Sequence, residues 1–542
     1  MKNITTYIIL ISLVLFSSSC TKDFEEINTN PQGFTTASNG SLFNGIILSL
    51  YPKGNELFYI NNEILHNQSQ LSALTNEAWG NFTLGTEDIW SNYYTTMANI
   101  RELEQRFSEM EESPELINMK AIMKILVAYK TFKVTDLFGD MPFFNAAMGF
   151  QDPNQLRPSY DSQRDIYISL LEDLKWCDEN IDPEAVSTEP IGSFLSFDKL
   201  FFGDLLHWQK FANSMRLRYA LRMHDKEPEH ATAIISDIII NERPILYGYD
   251  FITYVGESAC LWPGQQGYSY DVPNWAMREH KNLRMGSNMW SQMSYHDSTD
   301  GSGIFDPRAF IFFETNNNHE WVPYPQIAPN DQAAPGGIAY AVHRDNVAAF
   351  DVKGETCIYS VINYFTHRDD RNIPVPLMTG SEVHFILAEI YLRGIGVAQN
   401  PELADIEYMN GINSSVEWWI NIAESSTLPL SGITFTDKID IPSWLNASSI
   451  LGVFGSWNAT TDEEKLQFIY TQRWIDAFLQ PQEAYALTRR TKMTPREGNP
   501  INHFRLPYPP SEQEYNTQNW QNAKEAQGGD DFGDKIWWIP EM

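Results

Sequence analysis

Two stretches of the sequence mix aromatic side chains with amides and charged groups, a combination that suits the binding of neutral sugars. A sugar ring presents C–H patches on its faces, which pack on flat aromatic rings, and hydroxyl groups at its edge, which hydrogen-bond to polar side chains. The stretches are "NEAWGNFTLGTEDIW" at 76–90, and "LWPGQQGYSYDVPNWAMREH" at 261–280 with "NNNHEWVPYP" at 316–325. The candidate stacking residues are Trp79, Phe82, Trp262, Tyr268, Tyr270, Trp275, Trp321 and Tyr324.

Ordinary packing is the alternative for each of these rings, because the whole chain is rich in aromatic residues. Its 542 residues include 16 Trp, 25 Tyr and 31 Phe, and such rings dominate burial in protein cores. Trp79 and Phe82 are predicted to lie in a glycine-containing loop. Trp90 is predicted to start a helix that continues to Tyr94, and to belong to the core.

Common catalytic motifs are missing from the sequence, so no catalytic residue is predicted. There is no G-x-S-x-G, no H-E-x-x-H and no phosphate-binding loop. The 70 Asp and Glu residues leave a glycosidase-like carboxylate pair possible, which keeps a surface glycoside hydrolase as an alternative. The acids of "DSTDGSG" at 297–303 have the wrong spacing for an EF-hand. A plain turn is predicted there, and neither a metal nor a cofactor is predicted anywhere.

Charge and cysteine content narrow the possible partners. The formal net charge of −32 argues against nucleic acid, which needs a basic face, and against polyanions unless a local basic pocket overrides the global field. Cys177, Cys260 and Cys357 are widely separated, and no C-x-x-C pair or zinc-like spacing occurs. These three residues are predicted to be buried free thiols.

The N-terminus is predicted to be an export signal, residues 1–19, followed by a lipidated Cys20 and a flexible tether over 20–40. Lys2 is the only charge before an apolar run at 7–16, which is too short to cross a membrane. The segment ending at Cys20 resembles a bacterial lipoprotein box, although Ser17 stands where such boxes usually carry leucine. Cleavage by an ordinary signal peptidase near Ser19 is the alternative. The acids that follow Cys20 resemble the surface-export signals of Bacteroidetes lipoproteins.

Several helices can be placed from capping residues and apolar stripes. Ser113-Pro114 is a typical start for a helix, and Asp161-Ser162 precede a second stripe that ends near Cys177. Capping boxes are predicted at Thr379 with Glu382 and at Thr460 with Glu463. Two further helices are predicted near 203–225 and 228–240. Gly139 is predicted to end the helix that begins at Ser113-Pro114.

The distribution of these helices predicts a mainly α fold built on helix pairs of the solenoid kind, although no fixed repeat period is visible. A single domain is expected over 41–542, with a helical frame at 41–242 and 380–500. Loop-rich insertions with short β-strands are predicted at about 243–380 and 424–459, where turn residues and scattered aromatics replace the helical stripes.

The most specific motifs along the chain are "LFGDMPFF" (137–144), "HWQKFANSMRLRYALRM" (207–223), "SEVHFILAEIYLRG" (381–394), "YMNGINSS" (408–415), "IYTQRWIDAFLQPQEAYALTRRTKMTP" (469–495), "FRLPYPPSEQEYN" (504–516) and "DKIWW" (534–538). They resemble motifs of the SusD/RagB family of surface nutrient-binding lipoproteins, occur in the family's order and cover essentially the whole chain. Together they are far more specific than any one of them alone.

This resemblance implies a tetratricopeptide-like helical scaffold that supports a loop-rich face. It also implies a lipid anchor in the outer membrane of Bacteroidetes, exposure at the cell surface, and pairing with a SusC-type TonB-dependent transporter. Family members bind oligosaccharides, or in some cases peptides, and pass them to the channel without chemistry. Glycan capture, peptide capture and a mainly structural lid are therefore the alternatives for this chain.

The arginines in the shared motifs are predicted to be structural. They should form ion pairs and cap backbone carbonyl groups rather than bind ligand, and they are Arg216, Arg218, Arg222, Arg489 and Arg490. The family varies its ligand loops, so no stacking residue is carried over by motif.

Overall fold

The structure is a computed structural model, and it describes residues 37–52, 54–74, 82–185, 194–248, 257–262, 282–295, 298–327, 358–363, 374–425, 447–455 and 461–541. Helices dominate this part of the chain. The first half contains α1 (Asn39–Leu48), a π-helix (Glu56–Leu65), α2 (His66–Ser69), α3 (Phe82–Ser108), α4 (Pro114–Phe138), a 3-10 turn (Pro153–Leu156), α5 (Gln163–Asn180), α6 (Leu205–Met223) and α7 (Pro228–Ile240).

The second half begins with short helices and then returns to long ones. It contains α8 (Ser287–Ser291), α9 (Arg308–Phe312), α10 (Gly380–Arg393), α11 (Pro401–Ser425), α12 (Ala447–Phe454), α13 (Asp462–Asp476), a 3-10 turn (Ala477–Leu479), α14 (Pro481–Thr491), α15 (Pro510–Tyr515) and α16 (Thr517–Ala526). Consecutive long helices pack on each other, as in α4 with α5, α6 with α7, and α10 with α11. The predicted mainly α, helix-pair fold is confirmed.

Helix α4 shows how local sequence sets its two ends. Ser113 caps the helix because its hydroxyl accepts from the Leu116 N–H at 3.2 Å, and Pro114 has no N–H that would need a partner. At the other end Gly139 adopts a φ of +84°, a conformation that L side chains rarely take. Both predicted ends are confirmed.

Two predicted capping boxes differ in detail from the structure. Thr379 does cap α10, with its hydroxyl 3.2 Å from the Glu382 N–H, but the Glu382 side chain turns to arginines instead of returning to the cap. At α13 the box is shifted by one residue, to Thr461 with Glu464. The sequence "TTDEE" contains both frames, and the structure uses the second, which leaves three acidic residues in the first turn.

Most of the short antiparallel strands lie in the predicted insertion at 243–380, and one lies in the predicted helical frame before it. One sheet has the order β1 (Ala73–Leu74), β3 (Leu283–Arg284), β5 (Val361–Ile362) and β4 (Phe313–Glu314). A second pairs β2 (Ala259–Leu261) with β6 (Val375–Met378). These strands tie the ends of the insertion back to the helices, since β6 leads directly into α10.

Two large hydrophobic clusters and a small third one around Tyr324 and Tyr359 form the core of the described residues, and α10 contributes to both large clusters. The first cluster gathers α1 and α3 to α7, and the second gathers α8, α9 and α11 to α13. In α10, Ile386 and Ile390 belong to the first cluster, whereas Phe385 and Leu392 belong to the second. A helix that is buried on all sides in this way holds the two clusters against each other.

Candidate ligand-binding site

Part of the predicted binding site lies outside the described residues. Trp79, Tyr268, Tyr270 and Trp275 are among these, as is the predicted lipidation site Cys20. The stacking role of the four rings and the lipidation of Cys20 stay predictions.

Phe82 is the predicted stacking residue with the most accessible position among those described. It begins α3 instead of lying in a loop, which corrects the sequence-based placement. Its ring is half-buried and meets the edge of Phe532, with centroids 5.0 Å apart. Trp90, predicted to belong to the core, is only 5% exposed and donates from Nε1 to Glu512 at 3.0 Å.

Three other candidates, Trp262, Trp321 and Tyr324, are buried. Trp321 stacks on Trp290, with centroids 5.6 Å apart and an interplanar angle of 6°. Tyr324 meets Tyr359 edge-on at 4.9 Å. Packing, the alternative that the sequence left open, describes these three rings in the structure, and their role as stacking residues stays a prediction.

The motif arginines form a buried ionic network between the helices. Arg218 of α6 and Arg473 of α13 both contact Glu382 of α10, at 2.9 and 2.8 Å. Arg222 is held between Asp136 of α4 and Glu483 of α14. Each of these six side chains is buried, so the network belongs to the interior and not to a ligand site.

The remaining motif arginines confirm the structural prediction. Arg489 donates to the backbone carbonyls of Asp136 and Phe504 at 2.9 and 2.7 Å. Arg490 forms a two-point ion pair with Glu389 at 2.7 and 2.6 Å. Arg216 pairs with Asp237 at 2.6 Å. Such planar, two-point contacts fix the relative orientation of the helices that carry them.

Glu389 shows the electrostatic effect of this network. Burial alone would raise the pKa of its carboxyl group, but the charge and hydrogen bonds of Arg490, helped by Arg393, lower that pKa to about 2. The carboxylate also accepts from the Tyr470 hydroxyl at 2.8 Å. Arg393 lies one turn away on the same helix, whereas Arg490 and Tyr470 lie on other helices and could not be identified as partners from the sequence.

Among the described helices, two cavities are relevant to ligand binding. One, of about 240 Å³, lies among α5, α6 and α7 and contains the Arg216–Asp237 pair. The other is narrower, about 60 Å³, and lies where the π-helix, α3, α4, β6 and α14 meet. Its lining includes two lysines, Lys130 and Lys133. Sequence reasoning missed this pocket, and the available signal was the pair of lysines within the apolar run of α4.

The described part of the chain has neither a metal-ligand cluster nor a membrane-spanning helix. There, no group of three or more His, Cys, Asp and Glu residues is placed to hold a metal ion. None of the helices described combines the length and apolarity that crossing a bilayer requires. Cys177 and Cys260 are buried free thiols, as predicted, whereas Cys357 lies outside the described residues.

The fold and its buried network define a helix-pair scaffold. Residues 31–508 match the profile of a SusD-like family described as "Starch-binding associating with outer membrane". The chain belongs to this SusD-like family, which confirms the resemblance found in the sequence.

Solved structures with the same fold are similar over their whole length but distant in sequence. A chitin-binding protein superposes with a TM-score of 0.69 at 20% identity, covering 93% of this chain and 100% of its own. A SusD homologue from Bacteroides fragilis NCTC 9343 gives 0.68 at 18% identity, with 93% and 100% coverage. A SusD homologue from Bacteroides thetaiotaomicron VPI-5482 superposes with a TM-score of 0.63 at 21% identity, covering 94% of this chain and 100% of its own. No curated protein sequence matches the chain significantly.

Proposed function

We propose that this protein is a non-catalytic glycan-binding lipoprotein of the cell surface. It captures oligosaccharides and delivers them to a SusC-type TonB-dependent transporter in the outer membrane. The observation that carries this proposal is the family match over 31–508, whose description joins starch binding with the outer membrane. The chitin-binding neighbour supports a polysaccharide ligand, although the identity of the sugar does not follow from it.

The ligand class is tested with a soluble form of the protein, produced without its first 20 residues and therefore without Cys20, on a glycan array and a peptide library. Glycan capture predicts binding to a set of related oligosaccharides and none to peptides. Peptide binding alone would favour the RagB-like alternative, and binding to neither would favour a structural lid. Trp79→Ala should lower glycan affinity, whereas Tyr515→Ala, a change at a ring 66% exposed and far along the chain, should not.

The absence of catalysis is tested on the oligosaccharides that bind. Incubation with the purified protein should leave them intact in chromatography. A shorter product that disappears when an acidic residue is replaced would support the glycoside hydrolase alternative instead.

The lipid anchor is tested by growing cells with an alkyne-tagged fatty acid. The wild-type protein should carry the label and fractionate with the outer membrane, because several acyl chains on one cysteine give stable anchoring. Cys20→Ala should release it from the membrane without label. Unchanged membrane association of Cys20→Ala would instead support cleavage near Ser19 and another mode of attachment.

The transporter partner is tested by mild detergent extraction and affinity purification from the native cells. A TonB-dependent transporter should co-purify with the tagged protein in near-equal amount. Its gene is expected next to that of this protein.

A further inference from the structure

The narrow pocket between the helices has a chemistry that the proposed function does not use. Its floor is formed by buried residues of α4 and of the segment that leads into α14. Amide side chains of Asn92, Gln480 and Gln482 line it together with Lys130 and Lys133. Glu56 is its acidic member, and Glu56, Asn92 and Lys133 are half-buried, so solvent reaches the pocket on this side.

The two lysines of the pocket differ in how their ammonium groups are satisfied. Lys130 is buried and donates to the backbone carbonyl of Ser49. Lys133 Nζ has no carboxylate within 4.0 Å and no hydrogen-bond acceptor in the described part of the chain, while Glu483 and Glu56 act on it only at longer range. Burial lowers the pKa of Lys133, as expected for an ammonium group that leaves water without a direct partner.

The start of α14 also lies at the pocket, and the Glu483 carboxylate in its first turn is paired with Arg222. Gln480 and Pro481, which lead into this 11-residue helix, are part of the lining. A helix N-terminus carries a partial positive charge that favours an anion. An unpaired ammonium group and a helix N-terminus therefore face one small space from different elements.

Size and charge together limit what can enter. A space of about 60 Å³ holds a small planar group and not a complete sugar ring. The net charge of −32 on the chain repels polyanions, so a single negative group is the compatible ligand. A carboxylate fits both limits and accepts hydrogen bonds from ammonium and amide donors.

We propose that this pocket binds one carboxylate group, presented by an acidic sugar residue of the captured glycan. The inference rests on the proposed function, since it assigns part of the ligand class. Phe82 begins the helix that also provides Ile89 and Asn92 to the pocket, and it precedes Ile89 by seven residues. Two turns of helix place these residues on one face, about 10 Å apart, which is within reach of one oligosaccharide.

The test compares galacturonate, galactose and acetate by saturation-transfer NMR with the soluble form of the wild-type protein, K133M and K120M. K120M removes a lysine from the same helix outside the pocket. K133M should weaken galacturonate and acetate about 10- to 100-fold and leave galactose unchanged, whereas K120M should change nothing. The unfolding midpoint of K133M should equal or exceed that of the wild type, because an unpaired, partly buried charge is removed.

Several results would overturn the assignment. The carboxylate site would be contradicted if the wild type bound galacturonate no better than galactose. It would also be contradicted if K133M bound galacturonate and acetate as tightly as the wild type does. If acetate binding depends on Lys133 and galacturonate binding does not, the acidic sugar is not the ligand. The pocket would then be a site for a free carboxylate ion. A strong loss of stability in K133M would show that Lys133 is already paired. If the wild type binds no glycan while acetate still depends on Lys133, the proposed function fails and the anion pocket stands.

Discussion

Trp321 packs flat against Trp290 and receives the edge of Phe310, with centroids 5.5 Å apart. Its backbone N–H also bonds the Thr299 carbonyl at 2.7 Å, which holds the turn at 298–303 against the ring. Trp321→Ala should therefore lower the free energy of unfolding by about 3–5 kcal/mol, the usual effect of deleting a large buried ring. Urea unfolding measures this change.

The control for Trp321 separates packing from ligand stacking. Tyr515→Ala, at a ring 66% exposed, should change the free energy of unfolding by less than about 0.5 kcal/mol. Glycan affinity is measured on the folded fraction of each variant. A Trp321→Ala protein that keeps its stability but loses affinity would restore the stacking role that the sequence suggested.

The pair Glu389–Arg490 predicts a pH dependence of stability. The pKa of Glu389 is depressed from 4.5 to about 2, so its contribution is complete above about 4.5 and is lost as the pH falls toward 2. Glu389→Gln should lower the free energy of unfolding at neutral pH by about 3–5 kcal/mol, because Arg490 stays buried without a countercharge. The difference from wild type should shrink between pH 4.5 and 2.

An exposed acid provides the comparison. Glu402→Gln removes an exposed carboxylate near the start of α11 and should change the free energy of unfolding at neutral pH only slightly. The assigned ionisation of Glu389 would be contradicted if the difference in free energy of unfolding between Glu389→Gln and wild type stayed constant from pH 4.5 to 2.

At the residue scale the sequence predicted the type of role better than the partner. Arg218 and Arg490 were predicted to be structural because they recur in motifs that mark the fold, and the structure confirms this. Their acidic partners, Glu382 and Glu389, both lie on α10, and each is more than 100 positions away along the chain. Local spacing in the sequence carries no information about contacts between residues so far apart in the chain. Glu382, which lies three residues after Thr379, was therefore predicted to take part in the capping box of α10.

Helix α13 offers a test of its own start. Thr461 and Glu464 satisfy each other's backbone N–H groups, with Thr461 N bonded to Glu464 at 3.0 Å and Glu464 N to Thr461 at 3.2 Å. Thr461→Ala should lower the free energy of unfolding by about 1 kcal/mol. Thr460→Ala, at the frame predicted from the sequence, should have a much smaller effect in the same thermal or denaturant measurement. The opposite order would restore the first frame.

The contact between α10 and α11 depends on a glycine. A Cβ at Gly411 would lie 2.6–3.0 Å from ring atoms of Phe385, closer than real Cβ atoms approach. Gly411→Ala should therefore destabilise the protein by about 1–3 kcal/mol through overpacking. Gly452→Ala in α12, where a Cβ meets nothing within 4 Å, should instead stabilise by about 0.5–1 kcal/mol. Chemical unfolding of both variants measures the contrast, and equal effects would argue against the close approach.

At the element scale, helices were predictable because their signals are local. Capping residues, Pro114 and Gly139 act within one turn of the ends that they define. Strands of two residues, such as β3 and β5, carry no periodic pattern and form only because the insertion folds back on itself. The start of α3 was misplaced because Phe82 and Gly85 were attributed to a loop, although Gly85 lies inside the helix against Ile60.

The whole molecule was predicted to be a single domain over 41–542, and its internal geometry gives that prediction a measurable consequence. Helix α10 supplies side chains to both hydrophobic clusters, and Glu382 on this helix bonds Arg218 of α6 and Arg473 of α13. Because neither cluster can open without exposing α10, we expect them to unfold together, even in a chain of 542 residues.

Hydrogen exchange with mass spectrometry in a denaturant series tests this cooperativity. Peptides from α5, in the first cluster, and from α11, in the second, should lose protection at the same denaturant concentration. Glu382→Gln leaves two buried guanidinium groups undercompensated, so it should lower both midpoints together, by about 3–5 kcal/mol in free energy. A variant in which the α11 peptides open well before those of α5 would divide the chain into two folding units, and the single-domain prediction would be wrong.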